Sequence, residues 1–180
     1  MALPATVYRL AIQLSDVDRG VYETLDLRMA RHPSETMRYL LTRAIAYALS
    51  YEDGIAFSKG GLSDPDEPAV SVRDPTGALV AWIDVGMPSA ERLHKASKAA
   101  ERVALFTSGD VEVVRRDVAS RPVHRAERIA VWRLEPRFLE ALEAVVERST
   151  TIELVRTEGH VYATIDGRMI EGRVECDTLV

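Results

Sequence analysis

The chain has 180 residues, 47% of them hydrophobic, with 23 basic and 28 acidic side chains and a formal net charge of −5. That length suits one domain, or two small lobes sharing a core, and the composition is that of a globular protein. A mild negative charge counts against broad nucleic-acid binding, which rests on neutralising phosphates, and leaves room only for a local basic patch.

No uncharged apolar run approaches the ~20 residues needed to cross a bilayer. The opening Met1-Ala2-Leu3-Pro4-Ala5 lacks the basic and apolar blocks of a signal peptide. The single Cys176 rules out an intrachain disulfide and a cysteine-based zinc site, and fits a reducing cytosol. The expectation is a cytoplasmic protein with no membrane partner.

Residues 6–14 alternate, with Tyr8, Leu10, Ile12 and Leu14 on one face, and so predict a half-buried strand. Asp16-Val17-Asp18-Arg19-Gly20 is a turn, and residues 21–29 alternate again with Leu25, Leu27 and Met29. An antiparallel hairpin follows. Ser34 is a fitting N-cap for a helix that carries Glu35 in its first turn. Met37, Leu40, Leu41, Ala44, Ile45 and Ala48 give this helix a continuous apolar stripe, and Glu35, Arg38 and Thr42 read as a solvated face. Residues 55–57 start a short strand, 58–68 form a loop rich in acids, and 69–72 form a brief strand before the turn Asp74-Pro75-Thr76-Gly77.

Residues 79–85 are an apolar run bounded by Gly86 and Pro88, which predicts a buried strand holding one carboxylate, Asp84. A helix follows over about 89–100, with Leu93, Ala96 and Ala100 inward, then an apolar strand at 103–106. The pattern continues with a helix over 111–119, a strand over 129–134 and a helix over 136–147 with Pro136 at its first turn. Three strands close the chain, joined at Glu158-Gly159 and at Asp166-Gly167, the latter a strong tight-hairpin signal. The class is mixed α/β (α+β).

Phosphate-binding glycine loops, G-x-S-x-G and H-E-x-x-H are all missing from the sequence. His32, His94, His124 and His160 show no ligand spacing, and Cys176 lies between two acids that raise a thiol pKa. Acids and bases around Asp84 remain. A buried charge is costly unless it is paired or bound to a cation. Asp84 therefore either caps the next helix or belongs to a site. Metal-assisted phosphodiester hydrolysis uses carboxylates on one or two divalent cations and a nearby Lys or Arg on the phosphate. Glu35, Asp66 or Glu67, Asp84, and Arg92 or Lys95 are the residues of the right type. Glu91 and Lys95, four apart on one helix, equally fit a surface ion pair.

Ala30-Arg31-His32-Pro33-Ser34-Glu35-Thr36, then Asp66-Glu67-Pro68, then Trp82-Ile83-Asp84-Val85-Gly86-Met87-Pro88 with Arg92, Lys95 and Ala96 resemble the YaeQ family. Met1-Ala2-Leu3 and Phe57-Ser58-Lys59-Gly60 fit the same pattern. The resemblance covers one YaeQ-like domain over 1–180. It implies a bacterial protein with a variant PD-(D/E)xK restriction-endonuclease-like core over about 34–107: helix, three strands, helix, strand. Antiparallel strands are added at both ends.

By position, the resemblance makes Glu35 the acid of the first core helix and Asp84 the acid of the (D/E)xK element. Lys95, together with Arg92, replaces the motif lysine from the next helix. Ala69 stands where the motif's first aspartate could fall, leaving Glu67 or Asp66 as substitutes. Gly86 stands at the motif lysine, and Met87 where relatives often carry Gln.

Two readings follow. In the first, Mg²⁺ or Mn²⁺ binds at Asp84 and Glu67 or Asp66, Glu35 helps hold water or metal, and Lys95 with Arg92 contacts the phosphate of a nucleic acid. In the second, the fold is kept as a non-catalytic module that binds nucleic acid or protein, which Ala69, Gly86, Met87 and the acidic balance favour. The expected state is a monomer or weak dimer.

Overall fold

The computed structural model describes residues 4–59 and 64–180. Met1, Ala2 and Leu3, Gly60 and part of the predicted acidic loop lie outside them. Among the described residues the chain is a mixed α/β fold of ten strands, four α-helices and a short 3-10 turn. It forms two compact units, one from residues 1–49 and 134–174 and one from 50–133 and 175–180. Among the described residues no helix is long and apolar enough to cross a membrane.

In the first unit, β1 (Thr6–Asp16) and β2 (Val21–Arg31) form the predicted hairpin, each running two residues longer than its apolar alternation. Its register sets Leu10 against Leu27 and Ile12 against Leu25, so the apolar side chains share one face. β8 (Ser149–Thr157), β9 (His160–Ile165) and β10 (Arg168–Thr178) extend it in the order β2-β1-β8-β9-β10. Glu158-Gly159 and Asp166-Gly167 take φ of 49° and 77°, the paired positive angles that a two-residue hairpin turn needs.

Helix α1 (Met37–Leu49) buries Leu40, Leu41, Ala44, Ile45 and Ala48 as its stripe predicts. It packs on α4 (Pro136–Glu143), which ends four residues before its predicted boundary and buries Phe138, Leu139 and Leu142.

Two expectations for α1 are corrected. Ser34 does not cap it: the cap is Thr36, whose Oγ1 accepts the Tyr39 N–H at 3.1 Å. Ser34 instead bonds the His32 ring in the preceding turn. Nor are Glu35, Arg38 and Thr42 a solvated face. Thr42 is buried and donates to the Arg38 carbonyl, and Arg38 pairs with Glu143 on α4.

The second unit is ordered β7-β6-β5-β4-β3. β3 (Ile55–Phe57), β4 (Val70–Arg73) and β5 (Leu79–Val85) are antiparallel. β6 (Arg102–Thr107) and β7 (Ala130–Leu134) then run parallel to β5. Helix α2 (Ala90–Ala99) links β5 to β6, and α3 (Val111–Ser120) links β6 to β7. β5 is apolar apart from Asp84, as suits a strand paired on both edges and buried over Ala81 to Val85. Trp82, Leu93, Leu105, Val114 and Val131 form the core between helices and sheet.

Candidate functional site

Asp84 is next to last in β5 and only 2% exposed. The chain leaves the strand through Gly86, whose φ of 90° suits a residue without a Cβ, and enters α2 at Ser89. Ser89 Oγ accepts the Arg92 N–H, and Asp117 on α3 accepts the Ala90 N–H at 2.6 Å. The helix start is thus capped by Ser89 and Asp117. The reading of Asp84 as its cap is corrected.

Asp84 is instead held by Arg92. The guanidinium approaches side-on, Nε donating to Oδ2 and Nη2 to Oδ1, both at 2.7 Å. Such a fork matches a carboxylate's two lone-pair directions. Nη1 donates to the Pro65 carbonyl at 3.2 Å and Nη2 also to the Glu67 carbonyl at 2.8 Å. The guanidinium carbon stands 5.4 Å from the Trp82 ring centroid, within cation–π range. One arginine therefore joins β5, α2 and the 65–67 turn.

The other predicted site residues are also in use. Glu67 Oε2 accepts from Ser58 Oγ at 2.8 Å. Lys95 pairs with Asp66 rather than with Glu91. Asp84, Arg92, Glu67, Asp66 and Lys95 are thus gathered in the second unit.

Glu35 belongs to the first unit, in the turn before α1 rather than in its first turn. Its Oε1 is 2.9 Å from Arg43 Nη2, its Oε2 accepts the His32 N–H, and its carbonyl takes Arg31. Burial raises its carboxyl above the usual glutamate range, with Arg43 pulling against that shift.

A divalent cation needs several oxygen ligands facing one point. Both Asp84 oxygens face Arg92, and among the described residues no three His, Cys, Asp or Glu side chains gather to hold a metal. As placed, these residues do not fit Mg²⁺ or Mn²⁺.

A group that sequence reasoning missed lies at the far end of α2. Arg125 and Arg128 flank a shallow hollow with Ser97, Ala100 and Glu101. His94 Nδ1 accepts the His124 N–H at 3.2 Å, drawing the 124–128 turn to the helix. Nothing in the spacing of these residues announces the contact.

The model of the family described as "YaeQ protein" matches residues 1–174. The chain belongs to the YaeQ family. It is 31% identical over 173 residues to the uncharacterised protein YaeQ of Escherichia coli (strain K12), covering 95% of this chain and 94% of that one. It is 30% identical over 164 residues to the YaeQ protein of Salmonella typhi, covering 90% of each. The crystal structure of the YaeQ protein from Xanthomonas axonopodis pv. citri superposes with a TM-score of 0.87 at 32% identity, over 97% of this chain and 98% of that one. That from Pseudomonas syringae gives 0.87 at 34% identity, over 98% of both.

Proposed function

We propose that this YaeQ-family chain is a non-catalytic, nucleic-acid-binding module on a PD-(D/E)xK-like core. The order α1, β3, β4, β5, α2, β6 supports that core, since it repeats helix, three strands, helix, strand. The observation that carries the non-catalytic reading is the Asp84–Arg92 fork. An acid whose two oxygens both face a guanidinium is neutralised in place, and a cation would have to displace that arginine first.

Arg125 and Arg128, beside the last turn of α2 with its Lys98, supply the phosphate contacts. All three are exposed and have no ion-pair partner among the described residues. Such a patch neutralises a few phosphates even on a chain of net negative charge.

The test is fluorescence anisotropy with labelled single- and double-stranded DNA and RNA across a salt series. Three phosphate contacts give a slope of log affinity against log salt of roughly −2 to −3. Arg125→Glu with Arg128→Glu flattens that slope. Absence of binding at low salt overturns the reading. Cleavage with Mg²⁺ or Mn²⁺ that Asp84→Ala abolishes overturns it in favour of a metal-dependent nuclease at Asp84, Glu67 or Asp66, with Lys95.

A further inference from the structure

β2 ends the strand order of the first unit. The direction of its backbone groups follows from its neighbour. Arg9 and Val17 donate their N–H groups to Arg148 and Arg156 carbonyls, at 2.7 and 2.9 Å, so the odd residues of β1 bond β8 and the even ones face β2. With Leu10 opposite Leu27, the odd residues of β2 bond β1. Tyr22, Thr24, Asp26, Arg28 and Ala30 are left with N–H and C=O directed outward. All five are exposed. Among the described residues only the Ala30 carbonyl is covered, by Arg43 Nη2 at 3.3 Å.

Exposed edges are usually short, bulged, or blunted by Pro or by charged side chains, Lys above all; the charges of β2 instead match one another across a two-fold pairing. β2 is 11 residues long, contains neither Pro nor Lys, and keeps an unbroken register with β1.

We infer that β2 pairs antiparallel with β2 of a second copy of this chain, about a two-fold axis at Leu27. In that register the strand is complementary to itself. Asp26 faces Arg28 twice, Glu23 faces Arg31 twice, Leu25 faces Met29, Thr24 faces Ala30 and Leu27 meets Leu27. Opposite charges directly across a strand pair attract, and like charges repel.

Other registers lose this match. An axis at Asp26 or Arg28 opposes like charges, one at Leu25 sets Glu23 against Leu27, and one at Met29 sets Leu27 against Arg31. Within its own chain Asp26 holds Arg9, whereas Arg28 and Glu23 have no ion-pair partner among the described residues. The two-fold register supplies both. An isologous contact of this kind closes on itself and gives a dimer rather than a filament.

Sedimentation velocity of the full chain across the micromolar range tests the inference. Wild type shows a concentration-dependent dimer. Arg28→Asp, which places an acid opposite Asp26 at both of its occurrences in the pairing, weakens it about tenfold. Adding Asp26→Arg to Arg28→Asp restores it. Thr24→Pro removes an outward N–H and leaves the bonds to β1 in place, so a chain with wild-type circular dichroism sediments as a monomer. A wild type that is monomeric throughout, or a dimer indifferent to both Arg28→Asp and Thr24→Pro, overturns the pairing. A double variant as weak as the single one overturns the axis at Leu27.

Discussion

Arg92 grips Asp84 across eight residues of sequence, with two hydrogen bonds of 2.7 Å, one to each carboxylate oxygen. The carboxylate is the buried partner and the guanidinium the half-buried one, their side chains 2% and 26% exposed. Removing one member of a buried pair leaves the other charged and without compensation, which typically costs about 3–5 kcal/mol. The exposure of Arg92 lowers that figure. Arg92→Ala is expected to lose about 2–3 kcal/mol in urea unfolding. Asp84→Asn in the Arg92→Ala background recovers part of the loss by removing the stranded charge.

The same geometry governs cations. Calorimetric titration of wild type with Mg²⁺ or Mn²⁺ gives no saturable heat, because Asp84 would first have to release Arg92. Asp84→Ala gives the same flat trace. A saturable heat in wild type that disappears in Asp84→Ala would restore the carboxylate to a metal site.

Glu35 gives a pH signature. Its carboxyl is raised above 4.5 because burial penalises the charged form more than Arg43 and the His32 N–H favour it. A group with a raised folded pKa contributes stability that is complete below its unfolded pKa and is lost as pH rises through the folded one. Glu35→Gln mimics the protonated form. Its unfolding free energy relative to wild type therefore improves from pH 4 towards neutrality. An NMR titration that places the Glu35 midpoint below 4.5 contradicts this.

Asp117 acts on the start of α2 from a different helix. Its Oδ2 accepts the Ala90 N–H at 2.6 Å and places negative charge at the positive end of that helix. Asp117→Ala is expected to cost about 1 kcal/mol, the usual worth of an N-terminal cap, with Ser89 limiting the loss. Chemical denaturation reads it directly. Asp117→Asn keeps the acceptor and is milder.

Gly172 on β10 lies under α4. A Cβ built there falls 2.4 Å from Phe138 Cβ, closer than any real contact allows. Gly172→Ala therefore forces β10 and α4 apart, and overpacking of this kind costs about 1–3 kcal/mol. Phe138→Leu does not rescue it, because the clash is with a Cβ that leucine retains. Thermal unfolding of the single and double variants checks both statements.

Much of the fold is determined by local pattern. Alternation over β1, β2 and β8 to β10 sets which side chains share a face, since a strand has period two. Gly159 and Asp166-Gly167 set the hairpin turns, because Gly takes positive φ at no steric cost and Asp tolerates it. The apolar stripe of α1 and the Ser89 cap of α2 set two helices. The family was legible as well, in strings such as Ala30 to Thr36.

Boundaries were less so. Thr36 and Ser34 cap equally well by type, and only the backbone path into α1 chose between them. The tertiary structure alone decided where the charges go. Nothing local states that Arg92 rather than a cation meets Asp84, that Lys95 turns to Asp66 rather than Glu91, or that Glu35 is buried against Arg43. Long charged side chains reach several ångströms in any direction. Their partners are set by which backbone segments the fold brings within that reach, and this no spacing along one chain encodes.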